Sequence, residues 1–333
     1  MDHLKKICVV GASGLVGSSI VRRALEKGYN VNGTLRDVNI TEKTKYLYNL
    51  VNGNKLKLYS AHMENELDFL DPFEGVDAVF IACLIPVYKG QDGTLAKELS
   101  YDRGYKEIIM PTVEGCLNIL KVAKNKGIKN IVICSSTSST NPPQPVKFKN
   151  EVDHWSDEEI QCREKKYTSA TKTVMEKAAI KFCTENKIRL SIILPTGIYG
   201  DAVLPEHLNH NPFAWLKQAI DGGYPRHSET PNDSASMIHV RDLADMFLTV
   251  YENRNCSGRY YGVYKSIHWQ DIYAECKRLI PQMKIPKPIK GDAIAPTGFD
   301  FSRRDSLGIK IRNFSTILKQ TIDWISSEPF GSN

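Results

Sequence analysis

The fold is decided by the stretch Ile7-Cys-Val-Val-Gly-Ala-Ser-Gly-Leu-Val-Gly17, a short apolar run that ends in glycines and passes into a helical pattern. This pattern predicts a strand, a tight turn and a helix. Gly11 can take backbone angles that a side chain would forbid, Gly14 lets the main chain approach a pyrophosphate, and Gly17 lets the helix pack close to the strand. The free N–H groups at the helix N-terminus favour an anion. The predicted phosphate-binding residues are Gly11, Ser13, Gly14, Leu15, Val16 and Gly17.

The spacing of these glycines is G-x-x-G-x-x-G, which departs from the G-x-G-x-x-G of the commonest dinucleotide fingerprint. An ordinary strand-to-helix turn is the alternative interpretation. A second predicted strand, residues 30–35, ends about 20 residues later, where the adenosine ribose of a dinucleotide lies in this type of unit. That context favours a dinucleotide site.

The residues after the second strand bear on which dinucleotide binds. An acidic side chain there hydrogen-bonds the ribose 2′-hydroxyl of NAD, whereas an arginine accommodates the 2′-phosphate of NADP. This chain has Arg36 followed by Asp37, and Lys43 offers a second positive charge. A guanidinium can bind two phosphate oxygens at once. The sequence therefore favours NADP over NAD, although Asp37 leaves NAD open and Lys43 is equally well explained as a solvated helix lysine.

Composition narrows the class of protein. The chain has 333 residues, a net charge of +6 and eight cysteines without a C-x-x-C pair. Scattered cysteines in apolar patterns are typical of a reduced, cytoplasmic protein and not of a disulfide or zinc framework. The interspersed charges do not predict nucleic-acid binding, and no apolar run is long enough for a membrane span. His207 and His210 with adjacent Glu206 lack a fourth ligand, so no metal site is predicted.

Predicted strands and helices alternate along the chain, which indicates an α/β protein with a parallel sheet. Compact apolar runs at 55–60, 78–83, 128–135 and 190–194 are suited to strands buried on both faces. Helical spacing covers 105–126, with an early kink at Pro111, and 171–186. From about 199 to 236 the texture changes to Pro, His, Asn and aromatic residues, which is typical of a loop-rich substrate region.

The chain resembles the extended short-chain dehydrogenase/reductases, within them the dihydroflavonol reductase and cinnamoyl-CoA reductase group. The resemblance rests on segments in family order that span most of the chain: 11–17, 35–37, 111–115, 131–138, 155–157, 162–166, 172–179, 194–196, 238–244 and 257–260. It implies a Rossmann-type, doubly wound parallel sheet. The implied NADP-binding domain is 1–198 with 236–262 returning to it, and the implied smaller C-terminal substrate lobe is 199–235 with 263–333.

The same resemblance implies a reduction in which a serine or threonine after the fifth strand steadies the substrate oxygen and a Tyr-x-x-x-Lys pair supplies the proton. Thr137 falls at the hydroxyl position, and Lys172 falls at the family lysine because Glu176 follows it at the family spacing. A lysine charge lowers a neighbouring tyrosine pKa and also holds the nicotinamide ribose. Strand-end turn capping is the plain alternative for Thr137.

The tyrosine does not fit this motif. Thr168 stands four residues before Lys172, and Tyr167 is one step further back. One residue on a regular helix is a rotation of about 100°, so Tyr167 would point away from the Lys172 face. Either an irregular helix start returns the Tyr167 hydroxyl to the site, which is the prediction adopted, or the acid has been lost and Thr168 lines the pocket, where it could relay a proton through water.

Further contacts follow from the resemblance. The adenine contact falls on His62 and Met63, where relatives carry Asp-Leu or Asp-Val, and the nicotinamide end falls on Ala82, Pro195 and Thr196. The substrate pocket is predicted to include Ile85, Ser138, Tyr199, Phe213 and Arg226, a mixed aromatic and polar set in which Arg226 could receive an acidic group.

Three functions remain open at this point. The leading hypothesis is an NADPH-dependent reductase of a small ring-bearing ketone or aldehyde. An NADP-holding sensor or regulatory protein is the alternative from another class, because the shifted Tyr167 would impair proton transfer. A nucleotide-sugar epimerase or dehydratase is a further alternative that matches the segments less well. A homodimer is compatible with the family.

Overall fold

The computed structural model describes residues 5–82 and 88–331. The strands of these residues form the sheets and are numbered in chain order. They are β1 (Lys6–Val10), β2 (Asn30–Leu35), β3 (Leu56–Ser60), β4 (Ala78–Ile81), β5 (Asn130–Cys134), β6 (Phe148–Lys149), β7 (Arg189–Pro195), β8 (Ile198–Tyr199), β9 (Ser234–His239), β10 (Gly258–Gly262), β11 (Lys265–His268) and β12 (Gly298–Phe299).

The α-helices of the described residues lie between these strands, except for the last two, which follow β12. They are α1 (Leu15–Glu26), α2 (Thr41–Tyr48), α3 (Tyr101–Gly104), α4 (Met110–Asn125), α5 (Glu158–Arg163), α6 (Tyr167–Glu185), α7 (Phe213–Ile220), α8 (Val240–Glu252), α9 (Trp269–Leu279), α10 (Ser302–Asp305) and α11 (Phe314–Ser326). In the part of the chain that is described, no helix is both long enough and apolar enough to cross a membrane.

Seven strands form one sheet in the order β10-β7-β5-β4-β1-β2-β3, and every pair in it is parallel. The order reverses between β1 and β4, which is the switch point at which doubly wound sheets bind ligands. All four residues of β4 are buried, as expected for a strand covered by helices on both faces. The predicted Rossmann-type α/β fold is confirmed.

Two apolar layers enclose this sheet. On one side α1 and α8 pack against residues such as Ile7 and Val9, and on the other side α4 and α6 pack against residues such as Cys8 and Val79. The alternation along β1 sends successive side chains to opposite layers. The described cysteines are buried, so they pack as small apolar side chains.

The C-terminal half adds two smaller pairings. A three-stranded sheet has the order β11-β9-β8, and β6 pairs with β12 in parallel. Strand β9 belongs to the three-stranded sheet, whereas α8 packs on α1 and β10 joins the seven-stranded sheet. A third apolar cluster, which includes Trp215, Trp269 and Ile317, fills this region.

The long helix before β5 is irregular near its start, as predicted. Residues Tyr105–Ile109 form a π-helical turn, and α4 begins at Met110 with Pro111 in its first turn. Proline has no N–H to donate and its ring crowds the preceding turn, so the helix widens there. By contrast, α6 is a regular helix from Tyr167 onward and begins four residues before the predicted start.

Candidate active site

The glycine-rich turn has the geometry that a phosphate site needs. Gly11 has a φ of 82°, which favours glycine. A Cβ atom on Gly17 would lie 2.0 Å from the Gly11 carbonyl oxygen, so only glycine lets α1 pack this closely on the turn. Helix α1 begins at Leu15 without a side-chain cap and without an acidic residue in its first turn. Its N-terminal N–H groups and partial positive charge can therefore stabilise an anion.

A cavity of about 320 Å³ opens beside this turn, at the ends of β1, β2 and β3. Among its lining residues are Gly11, Arg36, His62 and Met63, so the structure brings the predicted adenosine contacts together. Within the described residues Arg36 has no hydrogen bond or ion pair, and its guanidinium is exposed at this cavity. Asp37 is engaged elsewhere, because its Oδ1 accepts a hydrogen bond from the Asn39 N–H at 2.9 Å. This arrangement fits a 2′-phosphate better than a ribose 2′-hydroxyl.

Lys43 does not join Arg36. Its Nζ lies 2.8 Å from a carboxylate oxygen of Glu206, and Lys43 does not line the adenosine cavity. The structure therefore does not bring Lys43 to the predicted phosphate site, and its ammonium is paired with a carboxylate instead. The ion pair instead ties α2 to the short 3-10 turn Pro205–Asn209.

The same short turn touches the glycine-rich turn from the other side. The Nε2 atom of His207 lies 3.1 Å from the Ser13 carbonyl oxygen, and burial lowers the pKa of His207 below its ordinary value. A neutral ring with its proton on Nε2 can donate to that carbonyl. Sequence reasoning missed this contact, because the two residues lie far apart along the chain. It fixes Ser13 beside the start of α1.

A second cavity, of about 520 Å³, lies at the other end of the turn, and we call it the substrate cavity. It contains several residues that the sequence analysis assigned: Leu15 to the phosphate-binding turn, Thr137 to catalysis, Thr196 to the nicotinamide end, and Tyr199 and Arg226 to the substrate. It also contains Gly197 and Trp215, together with residues that the sequence analysis did not assign: Lys149, Ile198, Asn211, Pro212, Ser234, Ala235, Ser236, Trp269, Thr297 and Phe299. The two cavities border the same turn, at Gly11 and at Leu15.

The turn after β7 is built for a close approach of two backbones. Gly197 has a φ of 54°, and a Cβ atom there would lie 1.9 Å from the Ser236 carbonyl oxygen. Pro195 pairs with Gly262 at the end of the main sheet, and Thr196 follows it into the substrate cavity. Ala82 lies at the same sheet edge, where its N–H donates to the Val10 carbonyl at 3.0 Å. These main-chain segments therefore lie at the same edge of the main sheet.

Tyr167 is not in the substrate cavity. Its side chain is 1% exposed, and its hydroxyl donates to the Ser100 carbonyl at 3.0 Å. Its ring fills the space that glycine leaves at position 104, where a Cβ atom would lie 2.1 Å from the Tyr167 Cζ atom. The expected irregular start of α6 does not occur, so the ring stays on the core side of the helix. The prediction that the Tyr167 hydroxyl returns to the site is wrong in this structure.

Lys172 shares a helix face with Thr168 and Glu176, since residues four apart on an α-helix are neighbours. The direction of that face follows from Glu176, because its carboxylate accepts a hydrogen bond from the hydroxyl of Ser135, the residue directly after β5. The face of α6 that carries Lys172 is thus turned toward the end of β5 and the 3-10 turn Thr137–Ser139. Thr137 and Lys172 thus come from adjacent elements, and of the two only Thr137 lines the substrate cavity.

A buried arginine holds this region together. Arg259 on β10 donates through Nε to Glu176 at 2.9 Å and through a second nitrogen to the Ser139 hydroxyl at 2.9 Å. Its guanidinium stacks on Trp155 at 3.6 Å from the ring centroid. A buried ion pair of this kind satisfies each partner's charge, and losing one partner leaves the other uncompensated. Arg259 therefore positions both α6 and the turn that carries Thr137.

The remaining residues predicted to bind the substrate are not found among the described residues that line the cavity. Phe213 is wholly buried against Trp324, with ring centroids 5.7 Å apart, so its assignment to the pocket is wrong; Trp215, on the same helix, lines the cavity instead. Ser138 does not line the cavity among the described residues, and its carbonyl accepts from Ser156 and Gln161. Ile85 lies outside the described residues.

Comparisons with known proteins agree with this architecture. The model of the NAD dependent epimerase/dehydratase family matches residues 7–263. A cinnamoyl-CoA reductase from Medicago truncatula is 28% identical, with 98% of this chain and 97% of the relative covered. A dihydroflavonol 4-reductase from Zea mays is also 28% identical, with 92% of this chain and 84% of the relative covered. The crystal structure of yeast methylglyoxal/isovaleraldehyde reductase Gre2 complexed with NADPH is similar with a TM-score of 0.75 at 22% identity, covering 97% of both chains.

Proposed function

Because the chain belongs to the NAD dependent epimerase/dehydratase family, we propose that it is an NADPH-dependent reductase of a ketone or aldehyde on a small, ring-bearing molecule. The observation that carries this proposal is the pair of cavities that meet at one glycine-rich turn. The first offers the unpaired Arg36 to a 2′-phosphate. The second offers Thr137 and an aromatic wall, formed by Trp215, Trp269 and Phe299, to a substrate. Relatives that are named as reductases support the reaction type.

The residues that would hold the dinucleotide fit it. The N-terminus of α1 faces the pyrophosphate position, Arg36 takes the 2′-phosphate, and Thr196 with Gly197 lies at the nicotinamide end. When bound, NADPH supplies a hydride to a carbonyl carbon. The protein must then provide a proton for the carbonyl oxygen and stabilise the negative charge that develops there.

We assign these tasks to Lys172, Thr137 and Thr168. The Lys172 ammonium stabilises the developing oxyanion electrostatically, and the Thr137 hydroxyl donates a hydrogen bond to the same oxygen. Because the Tyr167 phenol lies in the core, the proton comes from solvent water through the Thr168 hydroxyl, which accepts one proton and gives up another. An aliphatic hydroxyl is a weaker acid than a phenol, so turnover should be slow compared with an enzyme that has a tyrosine in place.

The buried Tyr167 also favours a second candidate function, an NADP-holding sensor that binds the dinucleotide without turning over a carbonyl. One experiment separates the two. NADPH binding is titrated by fluorescence, and NADPH oxidation is then followed by absorbance with a panel of aromatic aldehydes and ketones. Reduction of one panel member, with a loss of kcat of about 10²-fold or more in Lys172→Met, is expected for the reductase. Binding without oxidation of NADPH by any panel member would overturn the reductase and support the sensor.

A further inference from the structure

The substrate cavity has an unusual distribution of charge. Two of its lining residues are cationic, Lys149 and Arg226, and none of the described residues that line it is acidic. Neither cation forms an ion pair with a carboxylate among the described residues: Lys149 donates to the neutral amide oxygen of Asn141, and Arg226 has no hydrogen-bond partner there. Most arginines of the described chain do have such a partner, as Arg22 has in Asp201 and Arg259 in Glu176.

Each cation is held in place by the fold. Lys149 lies on β6, whose backbone pairs with β12 and accepts a hydrogen bond from the Asp300 N–H at 2.7 Å. Its Nζ atom lies 5.9 Å from the centroid of the Phe299 ring, and burial lowers the pKa of Lys149. A partly desolvated ammonium gains free energy when an anion replaces the water that it has lost.

Arg226 is held against the aromatic wall. Its guanidinium lies 5.7 Å from the centroid of Trp269, and the next residue, His227, is locked by a 2.5 Å contact between its Nδ1 atom and the Tyr273 hydroxyl. A guanidinium beside an aromatic face keeps its edge donors available for a carboxylate or phosphate. The wall itself is apolar, and the Trp215 and Trp269 rings meet edge to face, with a centroid separation of 6.2 Å and an interplanar angle of 67°.

From this arrangement we propose that the substrate cavity selects a ring-bearing carbonyl compound that also carries a carboxylate or phosphate, with Arg226 and Lys149 as the anion-binding residues. This inference rests on the proposed function for the carbonyl, but the anion preference is a property of binding alone. The ring packs on Trp269 and Phe299, and the anion meets one or both cations.

Binding of matched ligands tests the proposal without requiring turnover. The probes are 4-carboxybenzaldehyde, 4-formylphenyl phosphate and the neutral 4-carbamoylbenzaldehyde, titrated calorimetrically into the full chain with and without NADP⁺. Because NADP⁺ cannot reduce an aldehyde, binding is measured by itself. At least one anionic probe should bind about tenfold or more tightly than the neutral amide, as expected for a charge-assisted hydrogen bond. Comparison of the two anionic probes distinguishes a carboxylate from a phosphate.

The variants are Arg226→Gln, Lys149→Gln and the double variant, with Lys147→Gln as the matched control, because Lys147 is exposed on the same segment and does not line the cavity. Loss of the preference in either single variant or in the double variant, with the control unchanged, supports the proposal. Equal binding of the charged and neutral probes, or a preference that survives in the double variant, overturns it. An anion preference without carbonyl reduction would refute only the proposed reductase, whereas reduction without an anion preference would refute only this inference.

Discussion

The placement of Tyr167 makes a quantitative prediction about the variant Tyr167→Phe. The substitution removes one hydroxyl that donates to the Ser100 carbonyl at 3.0 Å and lies 3.4 Å from the Leu99 carbonyl. The loss of such a bond destabilises a fold by about 1 kcal/mol. The loss rises to about 3 kcal/mol if the Leu99 carbonyl, the more buried of the two, is left unsatisfied. The ring stays, so no cavity forms. We therefore expect a modest loss of stability and no direct effect on the chemical step.

The assay measures both quantities on the same preparation. Urea unfolding gives the free energy of unfolding, and NADPH oxidation with the best carbonyl of the panel gives kcat/KM. For Tyr167→Phe we expect a stability loss of about 1–3 kcal/mol and a kcat/KM within about twofold of the wild type. A general acid contributes about 10²–10⁴-fold. A loss of kcat/KM in that range with unchanged stability would refute the structural role and would show that the Tyr167 hydroxyl acts in the active site.

A companion variant, Gly104→Ala, tests the same contact from the opposite side. The added Cβ atom would lie 2.1 Å from the Tyr167 Cζ atom, so the ring must move or the helices must separate. Overpacking of this kind costs about 1–3 kcal/mol. In a Tyr167→Ala background, Gly104→Ala should lower the free energy of unfolding by less than it does in the wild type, since the clash disappears with the ring. Additive losses would contradict the contact.

Three further perturbations follow from the same structure. Arg36→Leu should weaken NADPH binding by about 10–100-fold and NADH binding by much less, because only NADPH carries the 2′-phosphate; Asp37→Ala is the control, and equal effects on both dinucleotides would contradict the assignment. Arg259→Met should lower the free energy of unfolding by about 3–5 kcal/mol, since it leaves the Glu176 carboxylate buried without its partner; an unchanged urea midpoint would contradict this. Burial lowers the pKa of His239 to about 4, so unfolding takes up a proton between pH 6.5 and 4 and stability falls as the pH falls through that window. From pH 7 to 5 the wild type should therefore lose about 2 kcal/mol more than His239→Asn, which keeps a helix-capping side chain; equal losses would contradict the low pKa.

The main sheet was predictable because its signals are local. Strand β2 has the predicted bounds, and the apolar runs that became β5 and β7 needed no tertiary information, since strands buried on both faces are continuously apolar. The glycine-rich turn was predictable for the same reason, because its glycines are required by the conformation and close contacts of the nearby backbone. Family resemblance added the order of the parts and the positions of Arg36 and Lys172.

The failed predictions depend on contacts between distant parts of the chain. Tyr167 is fixed by Gly104, Lys43 by Glu206, and Phe213 by Trp324, and no pattern within a short window encodes such pairings. Lys149 was missed because the short strand β6 has no periodicity of its own and is defined only by its partner β12. The residues that shape the substrate cavity are thus set by tertiary packing, whereas the dinucleotide site is set by local sequence.

The central claim is that this chain transfers a hydride from NADPH to a carbonyl carbon. It is tested most directly with NADPH that carries deuterium at both hydrogen positions of nicotinamide C4, incubated with the wild type and an aromatic carbonyl, followed by mass spectrometry of the product. We expect deuterium on the carbinol carbon with the wild type and with Tyr167→Phe, and a strongly reduced yield of labelled alcohol with Lys172→Met. Saturating binding of the labelled dinucleotide without deuterium in any alcohol would contradict the claim.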